Sequence, residues 1–161
     1  HETLIDYYEK GRRVVILIDE AHLIKNASSL EELRLLLNCQ MNDQFLISLL
    51  LLGQPELKQK IAKVPALEQR LAVRHIIKPL DVQETGEMVL HRLRVAGFSG
   101  EKNPFSPDAI YELHRFSGGA PRVVCQLADN AMVMAMARNV AMVDGILIHE
   151  VAEEYSGGLA A

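Results

Sequence analysis

The sequence predicts an α/β protein with a parallel-sheet core followed by a helical subdomain. Three observations carry that prediction. Residues 14–18 (Val-Val-Ile-Leu-Ile) and 45–52 (Phe-Leu-Ile-Ser-Leu-Leu-Leu-Leu) are short apolar runs, the pattern of strands buried on both faces by helices. A segment of helical periodicity separates them. After Pro79 the β signal disappears and only helical spacing remains, which divides the chain into residues 1–80 and 81–161.

Taken in order, residues 2–9 predict a helix with Leu4, Ile5 and Tyr8 on one side and Gly11 as its stop. The chain opens within a helix and is expected to be a fragment of a longer protein. Residues 13–18 form the first strand. Ser28 is the expected N-cap of the next helix, whose apolar stripe is Leu30, Leu33, Leu36 and Leu37. Residues 38–43 are polar and turn-like, and residues 45–52 form the second strand, ended by Gly53, Gln54 and Pro55. Residues 56–63 and 67–74 read as helices, and residues 75–77 as a short third strand closed by Pro79. Beyond it lie helices at 81–96, stopped by Gly97, and at 109–116, with Ser106 as N-cap and Pro107 at the first helical position. Ser117-Gly118-Gly119-Ala120-Pro121-Arg122 turns into a long helix reaching about Arg138, and residues 143–155 give the last one.

Composition narrows the function classes. Apolar residues make up 49% and charged residues 24%, so a packed core is expected, and with 5% aromatics and no Trp it must be aliphatic. A net charge of −4 gives no global drive toward nucleic acid or anionic membrane. Cys39 and Cys125 stand in no metal spacing and read as reduced buried thiols of a cytosolic protein. The run at 45–52 is far too short to span a bilayer, so no membrane contact is expected within this segment. The scattered histidines predict no structural metal. Met132, Met134 and Met136 alternate along the chain and with Met142 cannot all share one helical face, so most of them read as core or surface filler.

The chemistry sits at the end of the first strand. Asp19 and Glu20 follow the apolar run directly, at the carboxyl edge where open α/β sheets place ligands. Solvated acids are the bland alternative. The functional reading is a nucleotide site, with Asp19 holding Mg²⁺ through water and Glu20 polarising an attacking water. His22 orients that loop or packs beside it, without a catalytic part. Gln54 stands at the end of the second strand, beside the acids if the strands are neighbours, or simply caps that strand. Lys58, Lys60, Lys63, Arg70, Arg74 and Lys78 form a basic stretch without interleaved aromatics, read as a solvated face or a subunit interface rather than a nucleic-acid track. Arg122 lies near a helix N-terminus, where a cation is poorly placed without a bound anion or a nearby acid as partner.

The apolar run plus Asp19-Glu20-Ala21-His22 resembles the Walker B element of an AAA+ ATPase. Together with Leu52-Gly53-Gln54-Pro55-Glu56-Leu57, Gln69-Arg70-Leu71-Ala72-Val73-Arg74-His75, His91-Arg92-Leu93-Arg94-Val95-Ala96-Gly97 and Ser117-Gly118-Gly119-Ala120-Pro121-Arg122, it resembles more narrowly the general secretion pathway component A type of that family. The resemblance covers essentially the whole chain and implies a partial P-loop NTPase core followed by a helical lid. It implies that Asp19 and Glu20 are the Walker B acids and Gln54 is sensor 1. Arg70 would be an arginine finger offered to a neighbouring subunit, with Arg74 as the competing candidate, and Arg122 would be sensor 2 on the lid. It further implies ATP and Mg²⁺ as cofactors, a homo-oligomer, and ATP hydrolysis coupled to assembly of secretion or pilus components. The setting would be the cytoplasm, or the cytoplasmic domain of an inner-membrane protein. No Gly-x-x-x-x-Gly-Lys-Ser/Thr occurs in the chain, so this segment alone is expected to be inactive or nearly so, and to self-associate through uncovered sheet surface. A nucleic-acid-binding ATPase of transposition or replication initiation, and a non-hydrolysing scaffold, are the alternatives.

Overall fold

The structure is a computed structural model and describes residues 2–100 and 103–158. It divides into two compact units, His1–His75 and Ile76–Ala161.

The first unit opens with helix α1 (Glu2–Glu9). Gly11, at φ 69°, ends it, and the Arg12 N–H returns to the Tyr7 carbonyl at 2.8 Å. Strand β1 (Val14–Ile18), a 3₁₀ turn (Ala21–Leu23) and helix α2 (Ala27–Leu36) follow. A two-stranded hairpin, β2 (Gln40–Met41) and β3 (Gln44–Phe45), precedes strand β4 (Ile47–Leu51). Helix α3 (Glu56–Ala62) and the single turn α4 (Pro65–Glu68) complete the unit. Strands β1 and β4 pair in parallel, Val14 opposite Ile47 through Ile18 opposite Leu51, with α2 in the crossover between them.

Four expectations are corrected here. The strands are covered on one face only. Ile18 and Leu51 pack with Leu57 and Ile61 of α3, whereas Val15 and Leu17 remain 61% and 58% exposed and Leu50 is 49% exposed. No other described element of the first unit covers that second face. The cap of α2 is Asn26, not Ser28, and its side chain makes no capping bond. Residues 67–74 do not form a helix. Past Glu68 the Arg70 and Leu71 N–H groups bond to carbonyls three residues back, and this tightening closes α4 after one turn. Arg70 and Arg74 therefore do not share a helical face. Residues 75–77 join no sheet among the described residues. Ile76 and Ile77 are 75% and 86% exposed, and β-branched residues without a neighbouring strand or packing face gain nothing from extended pairing.

The second unit is helical: α5 (Val82–Val95), α6 (Pro107–Ser117), α7 (Pro121–Ala137) and α8 (Gly145–Gly158). Its core joins all four, with Val89, Leu113, Val124, Leu127, Ile148 and Val151 among its buried members. Met132 and Met134 pack at the margin of this core, and Met136 and Met142 are exposed. Asp81 and Glu84 form a capping box at the start of α5. Ser106 caps α6 with Pro107 in its first turn. Gly118 and Gly119 lie at φ 58° and 73°, and a Cβ on Gly119 would come within 2.1 Å of the Leu80 carbonyl oxygen. That carbonyl crowding belongs to a close strap, since the Leu80 N–H donates to the Gly119 carbonyl at 2.9 Å. Cys39 and Cys125 are both free and half-buried.

Candidate functional site

Because β1 and β4 run parallel, their carboxyl ends meet at one edge. Backbone hydrogen bonds extend the pairing past both strands: Leu52 N–H to the Ile18 carbonyl at 2.9 Å, then Ala21 N–H to the Leu52 carbonyl at 2.8 Å. Asp19 and Glu20 stand between these two bonds. Glu20 has φ 51° and ψ 33°, the left-handed region that costs an L residue roughly 1–2 kcal/mol. Its N–H donates to Asp19 Oδ1 at 2.8 Å. The turn buries Ala21 against Leu57 and Ile61 while both acids stay exposed.

His22 occupies the centre of this edge. Its Nδ1 lies 3.2 Å from Glu20 Oε2 and 3.3 Å from the Gln54 backbone nitrogen. The imidazole is 12% exposed and the Glu20 side chain 58%. Gly53 leaves the room for it, since a Cβ there would sit 3.1 Å from the His22 nitrogen and 3.3 Å from Nδ1. From the other side Lys60 of α3 donates through Nζ to the His22 carbonyl, and to the Ile24 carbonyl at 2.9 Å. Lys60 is thus no part of a solvated basic face. It fastens the turn that carries the acids. The only hint of this in the sequence is its position between Leu57 and Ile61, on the buried side of α3.

The structure brings Asp19, Glu20 and Gln54 to one edge. Within the same unit, Arg70 and Arg74 stand elsewhere. Arg70 donates to the Leu37 carbonyl at 3.3 Å, and its guanidinium lies 5.7 Å from the Phe45 ring centroid. Arg74 pairs with Glu68 at 3.1 Å and also donates to the Glu68 carbonyl. Neither bonds to Asp19, Glu20 or Gln54. Arg122 is exposed in the first turn of α7, in the helical unit, and has no ion-pair partner among the described residues.

Residues 2–61, spanning α1 and nearly all of α3, match the AAA domain family. The chain is 40% identical over 131 residues to General secretion pathway protein A of Aeromonas hydrophila. Residues 2–61 thus belong to the AAA domain family. The alignment with General secretion pathway protein A takes in 80% of this chain and 23% of the relative, so the chain spans about a quarter of that protein's length. Its fold is also that of a RuvB point mutant from Thermotoga maritima, with a TM-score of 0.63 at 14% identity over 93% of this chain and 49% of that one. No helix among the described residues of this chain is long and apolar enough to cross a membrane.

The family generally binds nucleotide and Mg²⁺, and the residues present fit one part of that load. Mg²⁺ keeps most of its waters and takes one or two carboxylates plus phosphate oxygens. Asp19 is exposed, and only its Oδ1 is engaged, by the Glu20 N–H. The phosphates are the part without a match, because these 161 residues contain no Gly-x-x-x-x-Gly-Lys-Ser/Thr loop.

Proposed function

We propose that this chain supplies the metal-and-water half of an ATP-hydrolysing module, whose turnover serves assembly of a cell-envelope secretion or pilus system. The observation that supports the reading is the shared edge of β1 and β4, where two adjacent acids stand beside Gln54. Mg²⁺, when bound, neutralises phosphate charge. Asp19 would hold it through water. Glu20 accepts the proton of the attacking water, and the Gln54 amide reads the terminal phosphate. Arg70 is the finger offered to the nucleotide of a neighbouring copy. It is favoured over Arg74, which a carboxylate of its own chain already holds. Arg122, in the first turn of α7 and without an ion pair among the described residues, is the second cation for the phosphates. The segment alone turns over ATP slowly or not at all.

The test uses the full-length protein, assayed for ATPase with and without DNA. Glu20→Gln is expected to lower kcat by about 10²–10⁴-fold while ATP still binds, the usual weight of a general base. Turnover that survives the substitution removes Glu20 from the role. Strong stimulation by DNA would redirect the module to nucleic-acid work, and no turnover under any condition would make it a scaffold.

A further inference from the structure

We propose that His22 is the positioning residue that couples Glu20 to the loop carrying Gln54; its catalytic consequence, though not its geometry, rests on the function proposed above. A single atom, Nδ1, faces both groups, at 3.2 Å from Glu20 Oε2 and 3.3 Å from the Gln54 nitrogen. It cannot serve both at once. Protonated, Nδ1 donates to the Glu20 carboxylate and meets the Gln54 N–H head-on. Bare, it accepts the Gln54 N–H with its single lone pair and has no hydrogen to give the carboxylate. A neutral ring carries one proton in either arrangement, on Nδ1 or on Nε2, so the choice changes no net charge.

The surroundings confine the ring between these partners. Lys60 holds the His22 carbonyl, and the side chain is largely covered. Gly53 admits the imidazole, whereas a Cβ there would need its neighbours to give by a few tenths of an ångström. Glu20 sits in a left-handed conformation that tolerates little adjustment of its own backbone. The carboxylate is therefore fixed while Nδ1–H holds it, and released when the Gln54 N–H takes the ring. Displacement of the Gln54 loop by a ligand reaches Glu20 through this one nitrogen.

Two measurements test the proposal. In the ¹⁵N-labelled chain, long-range ¹H–¹⁵N spectra report which His22 nitrogen bears the proton, with the signal identified by its loss in His22→Asn. Glu20→Gln removes the charge that retains the proton at Nδ1. The Nδ1 resonance is expected to move toward that of a bare nitrogen, and the Gln54 amide proton to move downfield with it. If neither moves, the coupling does not exist. This arm needs no nucleotide and stands even if the ATPase reading fails. In the full-length protein, His22→Phe keeps the ring and loses Nδ1, and should lower kcat by about ten- to a hundredfold with KM for ATP within about twofold, the scale of a displaced catalytic group. His22→Asn, which restores a polar atom near the Nδ1 position, should recover part of the loss. An unchanged kcat in His22→Phe, or no recovery in His22→Asn, would overturn the positioning role. A full-length protein without ATPase activity would defeat the function proposed above and leave the ring measurement to decide this one.

Discussion

Glu20 is a residue working against its own backbone. At φ 51° it occupies a conformation that glycine adopts freely and a glutamate adopts at a cost. Strain of this kind concentrates at functional sites, where the side chain is retained despite it. Glu20→Gly should accordingly raise stability by about 1 kcal/mol while removing the carboxylate, read as a higher urea midpoint of the first unit. A lower midpoint would mean that the contact with His22 outweighs the strain. The sequence makes Asp19, Glu20 and Gln54 legible, because an apolar run, an acid pair and a Gly-x-Pro stop are all local signals. It does not make Lys60 legible. Its partners are the carbonyls of His22 and Ile24, more than thirty residues away, and a carbonyl leaves no trace in residue type. His22 falls between these cases: its place beside the acids is plain, but its second neighbour, the Gln54 N–H, exists only once β1 and β4 pair.

Among the elements, capping signals read unevenly. Ser106 with Pro107 and the Gly118-Gly119 turn stand where short-range signals put them, whereas the cap of α2 falls on Asn26 and not on Ser28, and the capping box of Asp81 with Glu84 emerges only in the structure. The hairpin of β2 and β3 is less visible. Asn42 and Asp43, at φ 50° and 59°, form its two-residue turn, a strong hairpin signal only when alternating strands flank it, and these strands are two residues each. Residues 75–77 show the opposite failure, strand-like in composition with no partner to pair. Asp108, in the first turn of α6, ties that helix to the start of α8. The Ser106 hydroxyl and then the Gly145 N–H, at 2.8 Å, stabilise its charged form and hold its carboxyl below the ordinary value. A depressed folded-state pKa gives stability that is complete above the unfolded value and is lost as pH falls through the folded one. Asp108→Asn should thus lower the melting temperature at neutral pH, with the difference from the parent shrinking below the ordinary carboxylate range. A constant difference across that range would remove Asp108 as its source.

The whole chain is two units of unequal build. The helical unit holds one core joining four helices, whereas the first unit has two small clusters, around Ala21, Leu57 and Ile61 and around Leu30, Val64 and Leu67. Residues 71–80 between α4 and α5 carry no helix or strand, and Val73, Ile76 and Ile77 are highly exposed. Trypsin should therefore cut first after Arg70 or Arg74, since Pro79 shields the bond after Lys78. Early cleavage within α5 to α8 would contradict this picture. The bare sheet face has a different consequence. Val15, Leu17 and Leu50 present a contiguous patch of hydrocarbon in the native state. A dye such as ANS, which brightens on exposed apolar surface and is commonly taken to diagnose a molten globule, should fluoresce with this chain while its near-ultraviolet dichroism stays that of a fixed tertiary structure. Leu17→Lys should quench the glow without loosening the fold, so brightness in this protein would gauge an uncovered sheet and not disorder.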